Sequence, residues 1–88
     1  MKVTAIKNLV RKDVPIYYRN YYTGVAVIVI RDSALDYRID FSIEIKPTGA
    51  KEILVNFLDN IDYPLIPVSN EVKQYIDELD NVGGLPAT

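Results

Sequence analysis

The sequence predicts an α+β domain: an antiparallel five-strand meander, curled or barrel-like, followed by one C-terminal amphipathic helix. Three observations predict it. Val25 to Ile30 is an unbroken apolar run, which reads as a strand covered on both faces. Asp36 to Lys46 alternates, with Tyr37, Ile39, Phe41, Ile43 and Ile45 against Asp36, Arg38, Asp40, Ser42, Glu44 and Lys46. Successive strand residues point to opposite faces, so this stretch reads as a strand with one dry and one wet side. Near the end, Val68, Val72, Tyr75, Ile76 and Leu79 recur at helical spacing, with charged residues in the gaps.

The elements follow in order. Lys2 to Val10 reads as a first strand, and Arg11, Lys12 and Asp13 as a polar break. Val14 to Tyr22 reads as a second strand, with Val14, Ile16, Tyr18 and Tyr22 on one face and Pro15, Tyr17, Arg19 and Tyr21 on the other. Pro15 has no N–H to donate, which places it at a strand start or on an edge. Thr23 and Gly24 supply a turn into the apolar run, because glycine adopts positive φ freely. Asp32 and Ser33, whose side chains bond their own backbone in turns, mark the next reversal. Pro47, Thr48 and Gly49 fit a type I turn closed by a left-handed glycine.

Beyond that turn, Ile53, Val55 and Phe57 alternate against Glu52, Leu54 and Asn56. Ile53, Leu54, Phe57, Leu58 and Ile61 also satisfy helical spacing, but the β-branched content and the tight turn before it favour a fifth strand over Lys51 to Leu58. Asp59 to Pro67 reads as a loop, since Pro64 and Pro67 break ladders and disfavour helix before them. Ser69 is the expected N-cap of the helix, with Glu71 in its positive first turn. Asp77, Glu78 and Asp80 crowd the negative end, and Gly83-Gly84 offer a left-handed stop. A helix of about twelve residues spans roughly 18 Å and covers only part of one sheet face. The second side of Val25 to Ile30 therefore needs either a sheet that closes on itself or a second copy of the chain.

Eighty-eight residues make a single small domain, expected over 1–84 with 85–88 as a flexible tail. The hydrophobic share of 49% and charged share of 25% are those of a folded globular chain. Cysteine and histidine are both absent, which removes disulfides, the usual zinc ligands, the commonest general base and the thiol nucleophile. With no secretion signal and no apolar run long enough to span a bilayer, the expectation is a cytoplasmic protein without membrane contact. Residues 1–40 carry seven Lys or Arg against four acids, a net +3, while residues 41–88 carry three against eight, a net −5. Such polarity can orient a partner or a second copy.

Four of the seven tyrosines fall between Tyr17 and Tyr22. On a strand, Tyr17, Arg19 and Tyr21 share the face opposite the core, and they are the candidate interface. Tyrosine and arginine dominate protein hot spots, and the same trio could stack and contact single-stranded nucleic acid together with Lys7, Arg11 and Lys12. A sequence pI near 4.9 without a basic cluster places nucleic acid second. Cross-strand tyrosines also simply stabilise half-exposed sheets. Asp59, Asn60 and Asp62 could offer oxygens to a hard cation, but their spacing matches no EF-hand loop and Asx residues build turns unaided. Asp36, Asp40 and Glu44 are interleaved with Arg38 and Lys46, as a solvated face is. Ser33, Ser42 and Ser69 lack a histidine partner, and no glycine motif cradles phosphate. No catalytic, cofactor-binding or metal residue is assigned. The expectation is a non-enzymatic protein-binding or adaptor module, homodimeric in one form, whose partner is another protein or a second copy. The alternative is a weak single-stranded nucleic-acid binder using the same Tyr/Arg surface.

Overall fold

In a computed structural model that describes residues 1–14 and 18–86, the chain is α+β, with β1 (Lys2–Lys12), β2 (Arg19–Ile30), β3 (Ser33–Ile45), β4 (Lys51–Phe57) and α1 (Leu65–Asn81). The strands form one antiparallel sheet in the order β1-β2-β3-β4. The sheet therefore has four strands rather than the expected five. It is open, because β1 and β4 are its two edges and do not pair. Pro15, Ile16 and Tyr17, and with them the expected edge position of Pro15, lie outside the described residues, as do Ala87 and Thr88. Leu85 packs against the core.

The strand count falls by one because Thr23-Gly24 is not a turn. Both residues sit in the middle of β2, paired with Asp40 and Ile39 of β3. Gly24 is required by space instead of by backbone conformation. Opposite it, β1 carries a bulge in which Asn8 takes a positive φ of 55°, and a Cβ on Gly24 would lie 3.0 Å from Ile6 Cγ2 and 3.2 Å from Leu9 Cδ2. Arg11 and Lys12, expected as a break, continue β1 opposite Tyr22 and Tyr21.

A two-residue loop, Arg31-Asp32, joins β2 to β3, with Arg31 held at φ 57°. The Pro47-Thr48-Gly49 turn forms as expected, with Gly49 at φ 88° and its N–H donating to the Lys46 carbonyl at 2.8 Å. Residues 51–57 are the strand, and Ile53, Val55 and Phe57 pack towards the core.

The helix starts earlier than Ser69. Pro64 precedes its first residue without a side-chain cap, and Pro67 lies in the first turn. Backbone N–H groups there have no intrahelical acceptor, so a proline removes nothing. At the far end, the Gly84 N–H donates to the Leu79 carbonyl at 2.8 Å and the Gly83 N–H to Asp80 at 3.1 Å, with Gly83 at φ 72°. This paired closure is the left-handed stop expected there.

The core lies between the helix and one face of the sheet. Val68, Val72 and Ile76 of α1 meet Val3 and Ile6 of β1, Tyr22, Ala26 and Ile28 of β2, and Tyr37, Ile39, Phe41 and Ile43 of β3. Tyr22 and Phe41, register partners, stack with ring centroids 5.0 Å apart.

Two substitutions test this backbone account in opposite directions. Gly24→Ala, which would ordinarily favour a strand, is expected to destabilise by about 1 to 3 kcal/mol through the crowding at Ile6 and Leu9. Arg31→Gly is expected to stabilise by about 0.5 to 1 kcal/mol by relieving the left-handed conformation. Urea denaturation of the two variants reads both signs.

Candidate functional site

Because β2 is one continuous strand, its odd-numbered residues from Arg19 to Val29 share one face and its even-numbered residues share the other. The even set faces the helix and is buried. The odd set faces away, and no element of the described chain is layered over it: Tyr21, Thr23, Val25, Val27 and Val29 are all half-buried. The expectation that Val25 to Ile30 is covered on both sides is thus met on the side of Ala26 and Ile28 only. A single helix covers a single face.

Register fixes the rest of this open face. Across β2 from Val25 stand Lys7 and Arg38, and across from Val27 stand Ala5 and Asp36. Thr23 is flanked by Val10 and Asp40, and Tyr21 by Lys12 and Ser42, with Leu54 of β4 beyond. Val10 and Leu54 are exposed, while Ser42 is 5% exposed although it lies on this side. Lys12, Tyr21, Asp40, Ser42 and Leu54 rim a shallow depression of about 300 Å³.

Of the candidate interface residues, Arg19 and Tyr21 do share the open face, and Tyr17 lies outside the described residues. Arg19 is committed: its Nη2 donates to Glu44 Oε1 at 2.6 Å across the β2–β3 ladder. Glu44 first, and the neighbouring Tyr21 in smaller part, hold the guanidinium more firmly protonated than usual. The basic residues grouped with the tyrosines do not form one surface. Lys7 and Lys12 lie on the open face, but Arg11 pairs with Tyr22 on the helix side, and its Nη2 donates to Asn20 Oδ1 at 2.7 Å. Lys7 Nζ meets Asp36 Oδ2 at 2.7 Å. Since those residues belong to β1 and β3, this ion pair crosses over β2 at the level of Val25 and Val27 and partly roofs the valines.

The carboxylates considered for a cation have another use. Asp59 accepts the Arg38 backbone N–H at 2.8 Å and its Nε and Nη2 at 3.0 and 2.7 Å, fastening the loop after β4 to β3. That clamp holds the Asp59 carboxyl below its usual range. Among the described residues no group of three or more acidic, His or Cys side chains is placed to hold a metal ion. No helix there is long and apolar enough to cross a membrane.

A family model matches residues 1–81, from the first strand to the last residue of α1. The chain belongs to the BB_0187 family. No curated protein and no solved structure matches it. The whole described open face lies inside the matched span, and family membership by itself assigns no activity to it.

The face residues beyond Arg19 and Tyr21 escape a reading of the sequence for one reason. A turn placed at Thr23-Gly24 cuts the odd-numbered series in two and separates Tyr21 from the valines it adjoins.

The ion pairs set the acid limit of stability. Arg38 depresses the pKa of Asp59, and Lys46 that of Glu52, below the ordinary values of 3.8 and 4.5. The unfolded chain takes up these protons at higher pH than the folded one, so the stabilisation is present above about pH 4.5 and is lost as pH falls through the depressed values. Asp59→Asn is expected to make the acid limb of the stability curve shallower, with little change in its slope above about pH 5, as thermal melts across the acid range will show.

Proposed function

We propose that this chain is a non-enzymatic cytoplasmic binding module whose open sheet face, centred on Tyr21, Val25 and Val27 with Arg19 at its end, receives a protein surface. The observation that carries the reading is the uncovered apolar stripe of β2. Five successive outward positions from Tyr21 to Val29 hold no charged residue, in the middle strand pair of a sheet whose other side already has its helix. A stripe of this kind, rimmed by lysines and carboxylates, has the composition of an interface: apolar and aromatic in the centre, polar at the margin. The absence of cysteine and histidine from the sequence is the basis for reading it as non-enzymatic.

Nucleic acid stays the second reading, with less behind it. Arg19 and Lys7 are each neutralised by a carboxylate of the same face, and the acids of β3 lie beside the tyrosine that would stack a base.

Tyr21→Ala tests the proposal. It is expected to leave the melting temperature within a few degrees while abolishing association, measured both as mass in solution and as retention of protein from cell extract on the immobilised chain. Undiminished association in the variant contradicts the proposal. So does a fluorescence titration in which a single-stranded oligonucleotide binds at low ionic strength and is released as salt rises.

A further inference from the structure

We infer that the occupant of the open face is a second copy of this chain, stacked face to face about a two-fold axis parallel to β2. The inference rests on the reading of that face as an interaction surface and adds its partner and geometry.

Charge organisation carries it. On the open face β1 presents Lys2, Lys7 and Lys12 and no acid; β2 presents the uncharged stripe; β3 presents Asp36, Asp40 and Glu44 with a single base, Arg38. Arg38 is itself engaged by Asp59 of the loop beyond β4. The face is therefore basic on one flank, apolar in the middle and acidic on the other. A two-fold axis along β2 exchanges the flanks, which sets each lysine column over the other copy's acid column and each apolar stripe over its counterpart. In this register Lys12 lies over Ser42, between Asp40 and Glu44, and Lys7 lies over Arg38, between Asp36 and Asp40. A two-fold axis across β2 would instead stack lysines on lysines, and like charges brought together oppose association. The surface is self-complementary in one orientation only.

Area and edges agree with a face-to-face contact. Four strands about 4.8 Å apart, the central ones about 40 Å long and β4 shorter, offer on the order of 700 Å², close to the roughly 800 Å² per partner of a standard interface. Pairing along the β1 edge is discouraged by its irregularities after Val3 and after Lys7 and by its lysines. Two aligned sheets stacked about 10 Å apart bury the valines of both copies in one layer.

The experiment is a charge exchange between two variants, Lys12→Glu and Asp40→Lys, each followed by light scattering over a concentration series. The wild-type chain is expected at twice its mass of 10.0 kDa. Each variant alone is expected to dissociate at least about tenfold more readily, and an equimolar mixture to recover the dimer. Restoration on mixing shows that both variants fold. Val29→Cys, in a chain with no cysteine of its own, supplies the orientation: a short bismaleimide is expected to link Val29→Cys to itself, since the parallel axis sets position 29 of one copy against position 29 of the other. A monomeric wild-type chain, a dimer indifferent to both charge variants, or failure of the Val29→Cys link overturns the inference. If the chain is monomeric yet retains a different protein in a Tyr21-dependent way, the inference fails and the reading of the face as an interaction surface stands. If a dimer forms that ignores Tyr21→Ala, Lys12→Glu and Asp40→Lys alike, both fail.

Discussion

Strand β2 is apolar on two sides, and the chain supplies one layer to cover it. Ala26 and Ile28 are sealed beneath Val68, Val72 and Ile76, while Val25, Val27 and Val29 are left to the outward face. Burial of apolar area is the main favourable term in folding and in association alike, so the same strand that anchors the core also creates the surface most in need of a partner. The helix cannot serve both sides. Its three fully buried residues lie on a single stripe, and its outer face is charged.

Electrostatics organise what burial leaves open. The sequence divides into a basic first half and an acidic second half. The meander turns that linear division into a lateral one, because β1 comes from the first half and forms one edge, whereas the carboxylates follow on β3, β4 and α1. Some of this charge is discharged internally. Lys51, whose Nζ contacts Asp77 at 2.5 Å and Asp80 at 3.0 Å, ties the acidic end of the helix to β4 and offsets carboxylates that the helix dipole disfavours there. These contacts raise the Lys51 pKa. The Lys7–Asp36 pair is half exposed at both ends and adds little stability in water, but its path across β2 marks where the open face is already partly shielded.

Legibility in the sequence follows periodicity. The alternation from Asp36 to Lys46, the Pro47-Thr48-Gly49 turn, the strand at residues 51–57 and the helix are readable because each depends on local pattern or turn chemistry. Gly24 is not, since a glycine serving close packing against Ile6 and Leu9 looks the same in one dimension as a glycine serving a turn. The helix start is hidden by Pro64 and Pro67, which break helices everywhere except in the first turn. Of the candidate interface, the shared face of Arg19 and Tyr21 is legible from their spacing. Its continuation to Val29, and the flanking of Tyr21 by Lys12 and Ser42, depend on strand pairing and cannot be read from neighbours along the chain.

Strand β2 is thus sheltered on its helix side by its own chain and on its outer side only by association. Methyl NMR with a soluble paramagnetic probe measures this directly. On dilution, the methyls of Val25, Val27 and Val29 should broaden while those of Ala26 and Ile28 stay sharp, and at high concentration all five should be protected. Equal broadening of the three valines at every concentration, or their full protection in a dilute monomer, would contradict it.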